Sequence, residues 1–337
     1  MSRLGHLTLL LAGVVLLVIL AGGLSLERAW TGTRGSARGD TLLVVPQGAS
    51  ARGIASLLAG AGVLESPRLF VWRLRLAGEG HALRAGRYRF SVPCAPAEIL
   101  DKLRRGDTEK LWLTLPEGLW LDEAVGRIAR SLDLDSLALA RAARRPSQWN
   151  YAFLRGSQSL EGFLFPETYV FEYPADPETV LSRLLESFAQ QIAILAVKAP
   201  LAWDLSVRDW VTLASIVEAE GGPESERRRI AAVYLNRLRR GMRLEADPTV
   251  LYGLGERRQR LFYLDLDLDS PYNTYRRAGL PPGPICSPGR ASLQAVLEAD
   301  PAERSLYFVA SGEGGHLFAE TFAQHRRNLD RLRRNRR

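Results

Sequence analysis

Residues 7–26 read LTLLLAGVVLLVILAGGLSL, an uncharged apolar run long enough to cross a hydrocarbon core of about 30 Å as one helix. Arg3 precedes the run, and Glu27 and Arg28 follow it. A cleaved signal sequence is the competing reading, because Leu20-Ala21-Gly22 offers the small residues of a processing site. The apolar stretch is longer than the roughly 7–15 residues of a signal core, so an uncleaved anchor is expected. Positive charge on both sides sets orientation only weakly. A tip of six residues (1–6) ahead of a large body makes the body the exported part, which in a bacterium lies outside the inner membrane.

The chain has 337 residues, 46% apolar and 24% charged, enough to build two modest domains with real cores behind the anchor. Its net charge of +8 suggests nucleic acid until it is located. Residues 326–337, RRNLDRLRRNRR, supply +6 of it. No basic stripe interleaved with aromatics remains, so a nucleic-acid partner is not expected, and the tail reads as a solvated helix end. Two cysteines, Cys94 and Cys286, lie far apart without ligand spacing, and a disulfide between them is not expected. The histidines His6, His81, His316 and His325 form no metal pattern. Neither a metal nor a cofactor is expected.

Behind the anchor, residues 27–40, ending in TGTRGSARGD, read as a polar linker. The rest reads as an α+β protein: a small module over 41–108 and a larger mixed α+β domain over 109–325. A pattern recurs between them. VPQGASARGIASLL from Val45 and LPEGLWLDEAVGRIA from Leu115 each give a strand, Pro-x-Gly, then an amphipathic helix. The pattern, with its Ile-Ala pair, resembles the opening of LysM modules, which bind the glycan of peptidoglycan; the second copy falls near 113–132. Read from the residues alone it is a positive-φ turn before a helix packed on a sheet.

In the larger domain, Ser206 and Asp209 form a capping signal for a helix through VRDWVTLASIVEAE, stopped by Gly221 and Gly222. A second helix follows Pro223 and ends at Gly241. Ser287-Pro288 reads as N-cap and N1 of a helix through Glu298, and SLYFVA with HLF reads as a hairpin across GEGG. Glu218 lies four residues after Ala214 and seven after Val211, extending a buried stripe, while Glu220 holds the same relation to Ile216 and Leu213. Both occupy a last helical turn, whose carbonyl dipoles disfavour an anion, and an apolar surround disfavours it further. A carboxyl group that keeps its proton near neutral pH is what cleavage of a glycosidic bond requires.

Six longer motifs then occur in order: EGFLFPETY at 161–169, LASIVEAE at 213–220, AAVYLNRL at 231–238, MRLEADPTVLYGLG at 242–255, YNTYRRAGLPPGPICSPG at 272–289 and YFVASGEGGHLF at 307–318. Together they closely resemble the endolytic murein transglycosylases, the YceG-like proteins, over nearly the whole chain. The resemblance implies a membrane-anchored lyase that cuts nascent peptidoglycan strands internally and limits their length, with peptidoglycan synthases as partners. It places the catalytic glutamate at Glu218, since Glu220 falls on a more variable position of the motif.

Side chains suited to sugar hydroxyls or N-acetyl groups in the matching motifs are Glu161, Asn236, Asp247, Thr249, Asn273, Thr274 and Tyr275; Asp247-Pro248 also reads as a turn, and Asn273 as a turn cap. Glu167 and His316 read as structural, GLPPGP at 279–284 as a rigid cleft wall, and Cys286 carries no nucleophilic role. Two rivals stay open: a hydrolase pairing Glu218 with a second carboxylate such as Asp247, and a non-catalytic glycan-binding scaffold.

Overall fold

The computed structural model describes residues 3–78, 83–198, 205–258 and 261–335. His81, residues 1–2 of the N-terminal tip and residues 336–337 of the tail lie outside them. The chain separates into two compact units: residues 1–111 with 172–174, and residues 112–171 with 175–337.

The first unit begins with α1 (Arg3–Thr31), of which Leu10–Thr31 has a mean hydropathy of 2.3, with residues 10–28 exposed. Length and composition thus suit a membrane span, as the apolar run demands. The stretch expected to be a linker is instead ordered: α1 continues to Thr31, and β1 spans Arg34–Val45. The reason lies in side chains that the polar composition hides. Trp30 packs on Phe70 with ring centroids 6.0 Å apart, and Asp40 accepts a hydrogen bond from Ser91 at 2.8 Å. Gly35, at φ 147°, sits where a Cβ would lie 2.6 Å from Val92, so the strand can approach its neighbour only with glycine there.

Helices α2 (Ala51–Gly60) and α3 (Pro67–Leu76) follow, each capped by a serine, Ser50 accepting from the Gly53 N–H at 3.1 Å and Ser66 from that of Leu69. β2 (Gly86–Cys94) then pairs antiparallel with β1, Val45 opposite Gly86 and Thr41 opposite Phe90. Burial alternates along β2, which turns Tyr88, Phe90 and Val92 toward Ile54, Leu58, Phe70 and Leu74. α4 (Pro96–Arg105) closes this core with Ile99 and Leu103 and stops at Gly106 in the left-handed region.

β3 (Lys110–Thr114) leads through Pro116-Glu117-Gly118 into α5 (Leu121–Leu132) and α6 (Ser136–Ala143), and β4 (Thr168–Glu172) returns beside β3. The strand–helix–helix–strand order of the first module is therefore repeated here. α7 (Pro177–Lys198) lines the core with Val180, Leu184, Leu185 and Phe188. Although α7 is long and apolar enough to pass for a span, this buried face makes it a core helix.

α8 (Val207–Glu220) is the centre of the second unit, buried on all sides from Trp210 to Val217. It packs against α9 (Arg227–Arg239), α10 (Asp247–Leu254) and α11 (Arg290–Leu297). Its expected cap is present: the Ser206 hydroxyl accepts from the Asp209 N–H at 3.1 Å. The Trp210 indole N–H donates to the Leu293 carbonyl of α11 at 2.8 Å. Each large apolar side chain so buried contributes roughly 1.5–3 kcal/mol. That outweighs the roughly 0.3–1 kcal/mol by which a helix C-terminus disfavours an anion, and so holds the last turn with its glutamates in place. The expected hairpin is β5 (Tyr307–Ala310) against β6 (His316–Ala319), and α12 (Phe322–Asn335) carries the basic tail.

Candidate functional site

α8 ends at Gly221, and the turn through Gly222 and Pro223 brings Arg227, the first residue of α9, back beside the end of α8. Glu218 stands in this corner with its side chain only 8% exposed. One carboxylate oxygen accepts the backbone N–H of Gly289 at 3.0 Å; the other faces the Arg227 guanidinium at 3.3 Å. Gly289 is the N-cap residue of α11, so the positive end of that helix offsets the negative end of α8 at Glu218.

A second carboxylate stands beside the first. Glu117, in the turn between β3 and α5, lies against the Cα of Gly289 so closely that a Cβ there would be 1.9 Å from its Oε1. Its other oxygen is 4.0 Å from Nη1 of Arg227, so one guanidinium faces both carboxylates. Burial, then the charge of Glu218, push the Glu117 carboxyl above its ordinary value, with Arg227 opposing. Reciprocal backbone bonds fix the turn: the Gly118 N–H donates to the Ser287 carbonyl and the Ser287 N–H to that of Leu119, both at 2.8 Å. These bonds explain why Ser287-Pro288 does not start a helix. The Ser287 backbone is engaged by the turn, and α11 begins only after Gly289.

Behind the turn, Arg257 donates to the Gly118 carbonyl at 2.7 Å and lies over the Trp120 ring at 4.4 Å. Glu161, expected to meet substrate, is instead an interior anchor, 6% exposed. One of its oxygens accepts the Leu121 N–H at the start of α5 and the Tyr252 hydroxyl, each at 3.0 Å. Burial pushes its carboxyl up to about 7, against the pull of these two hydrogen bonds.

Residues two apart on a helix point about 200° from each other. Glu220 accordingly faces away from this corner and accepts the hydroxyl of Tyr234 on α9. Burial pushes it up to about 7; Tyr234 and the charge of Arg237 oppose the rise and Asp247 adds to it. Asp247 and Tyr275 belong to this other side, their side chains joined at 2.5 Å. They line a cavity of about 280 Å³ with Leu261, Phe262, Tyr263 and Leu266. Asp247-Pro248 does not form an isolated turn: it opens α10, Pro occupying the first helical turn where no backbone N–H is needed.

The remaining expected sugar contacts are braces within the protein. Asn236 donates to the carbonyls of Glu303 at 2.7 Å and Ser305 at 3.2 Å. The hydroxyls of Thr249 and Thr274 meet at 2.8 Å and are buried, Thr274 accepting the Ala246 N–H and Thr249 donating to the Ala246 carbonyl. Asn273 donates to the carbonyls of Leu266 and Leu268 and accepts the Tyr275 N–H. Each of the four makes side-chain hydrogen bonds to protein partners. His316 holds Glu226 through Nδ1 at 2.8 Å and its own N–H at 3.2 Å; Glu167 accepts the Ser187 hydroxyl at 3.1 Å; Cys94 and Cys286 are buried and free.

The family model of the YceG-like family matches residues 43–331. This chain belongs to the YceG-like family. An endolytic murein transglycosylase of Bacillus subtilis (strain 168) is 33% identical over 298 residues, spanning 83% of this chain and 81% of the relative. One of Streptococcus pneumoniae (strain R6) is 28% identical over 318 residues, covering 85% of this chain but 57% of the relative. A crystal structure of a YceG-like protein from Listeria monocytogenes superposes with a TM-score of 0.58 at 30% identity, over 86% of this chain and 99% of that one.

Three members of the corner escape a reading of the YceG-like motifs as isolated segments: Glu117, Arg227 and the Gly289 N–H. Glu117 had a signal, since Pro-Glu-Gly differs from its counterpart Pro-Gln-Gly in the first module by a charge. Arg227 opens a run of three arginines, and only the fold separates it from the other two.

Proposed function

We propose that this protein is an endolytic lytic transglycosylase of peptidoglycan, tethered to the bacterial inner membrane by α1 with its body on the outer side, and that Glu218 is its acid and base. The observation that carries the reading is the placement of Glu218. It is nearly buried at the end of the central helix, gripped by the Gly289 N–H and Arg227, in a chain whose relatives bear the name of this activity. A solvated glutamate at a helix end has no need of such a corner.

One carboxyl group suffices for the reaction. Glu218 gives its proton to the oxygen joining MurNAc to GlcNAc as the bond from C1 of MurNAc to that oxygen breaks. The carboxylate then takes the proton of the MurNAc 6-hydroxyl, whose oxygen closes on C1. The products are a GlcNAc end and a 1,6-anhydro-MurNAc end; no water enters, and Glu218 regains its proton. Positioned proton transfer of this kind contributes roughly 10²–10⁴ in rate. Terminating strands in this way requires access to nascent glycan beside its synthases, which the anchor provides. The first unit, whose strand–helix–helix–strand core holds the Pro-Gln-Gly turn, serves as the LysM-like glycan-binding module. Asp247 and Tyr275, at the cavity on the other side of α8, contact the sugar chain.

Glu117 beside Glu218 also suits a hydrolase, in which a second carboxylate activates water. Mass spectrometry of fragments released from purified glycan separates the two. Ends lighter by one water support the transglycosylase; reducing ends alone overturn it.

A further inference from the structure

The Arg227 guanidinium stands between two carboxylates, and this poses a stereochemical question for Glu218. An arginine side chain carries only donors and a fixed positive charge, so it favours the ionised form of an acid beside it and opposes its protonation. Glu218 presents a proton to a glycosidic oxygen more readily when Arg227 has another anion to face. Glu117 is that anion. It lies 4.0 Å from Nη1 of Arg227, while Nη2 faces Glu218 at 3.3 Å, so a small rotation of the guanidinium plane exchanges one partner for the other. Glu117 is also 46% exposed where Glu218 is 8% exposed, so water solvates the charge of Glu117 better. Gly289 joins the two: its N–H holds Glu218, and its bare Cα gives Glu117 room to lie alongside.

We infer that Glu117 is a positioning residue of the reaction, which draws Arg227 away from Glu218 and so leaves Glu218 free to hold and deliver the proton. The inference rests on Glu218 being the acid. Other charged groups facing the corner are few among the described residues. Glu224, in the turn before α9, adds negative charge near Glu117. Arg257, on the far side of the Pro-Glu-Gly turn, is occupied by Glu123 at 2.5 Å and by the Gly118 carbonyl. The buried Cys286 thiol, against α8, is pushed well above its ordinary value by burial, then by the charges of Glu161 and Glu218, and stays uncharged.

The test is the pH profile of fragment release by the full-length protein on purified glycan strands. Glu117→Gln removes the competing anion and leaves Arg227 to Glu218. The alkaline limb of kcat then moves about one pH unit toward acid, a roughly tenfold loss of rate above it, while KM stays within about twofold. Gly289→Ala provides a second route. The glycine has φ −75°, which any residue adopts, and its new Cβ would occupy the place of the Glu117 carboxylate without removing the N–H that Glu218 accepts. It therefore shifts the same limb in the same direction. Glu117→Asp keeps the charge and restores most of the wild-type profile. An unmoved limb in folded Glu117→Gln overturns the inference, as does a raised KM at an unmoved limb, which would make Glu117 a sugar contact. Glycan release by Glu218→Gln at the wild-type rate would instead remove the assignment of the acid, so the two failures are distinct.

Discussion

Glu218 and Glu220, separated by one alanine, take their hydrogen bonds from different elements: Glu218 from the Gly289 N–H that begins α11, Glu220 from the Tyr234 hydroxyl on α9. Proximity in sequence thus hides two environments. In one, a charged guanidinium lies against the carboxylate; in the other, burial holds the proton on. Glutamine at 220 can still accept from Tyr234. Glu220→Gln is therefore expected to release glycan fragments within about threefold of the wild-type rate, since swaps that preserve a hydrogen bond disturb little. A rate assay with Glu218→Gln alongside checks it.

Stability should depend on pH in a direction opposite to the usual carboxylate case. Glu161 and Glu220 are both raised from 4.5 to about 7 by burial. Between these values the folded protein holds protons that the unfolded chain has released, so stability falls as pH rises through this window. At about 1.4 kcal/mol per pH unit the effect is at most about 3.5 kcal/mol for each group. Denaturant midpoints should be higher at pH 5 than at pH 7.5, and Glu161→Gln should flatten the difference.

Arg237 is a brace that the sequence gives no reason to single out. Its Nε donates to the Leu306 carbonyl at 2.7 Å, and its Nη1 to the Leu244 carbonyl at 2.8 Å and to Glu245 at 3.0 Å. This one fork ties α9 to the strand entering the hairpin and to the loop before α10. Arg237→Lys keeps the charge but not the fork. A loss of about 1–3 kcal/mol is expected from the buried Leu306 and Leu244 carbonyls left unpaired; the urea midpoint measures it.

The elements with strong local signals were legible in the sequence. Ser206 caps α8, Gly221 ends it, and the turn after Ala310 makes a hairpin, because each rests on neighbours a few residues away. The candidate sugar contacts were less so. Asn236, Thr249, Asn273 and Thr274 have the chemistry of sugar binders, but their partners are protein groups, some as remote as the Glu303 carbonyl is from Asn236. A side chain's type states what it can bond, and the fold states what it meets first. Glu117 shows the converse, since a turn glutamate becomes a neighbour of Glu218 only when α5, α9 and α11 converge.

The end of α1 belongs to the folded first unit as well as to the apolar helix. Trp30 packs on Phe70, and Arg73 lies over the Trp30 ring at 5.3 Å while pairing with Glu27. A truncation that begins at Leu26 should give a water-soluble protein with an intact first unit. One that begins at Gly32 should lower the melting temperature by several degrees, as loss of a buried aromatic contact of about 1–3 kcal/mol would do. Thermal unfolding of the two truncated proteins distinguishes them.

The most direct measurement is fragment release from purified glycan strands by folded Glu218→Gln. The substitution keeps the size of the side chain and an oxygen for the Gly289 N–H but has no proton to deliver. Release at least about 10²-fold slower than wild type, with an unchanged circular dichroism spectrum and melting temperature, is the predicted result. Anhydro ends appearing at the wild-type rate would contradict the assignment of Glu218 as the acid and base.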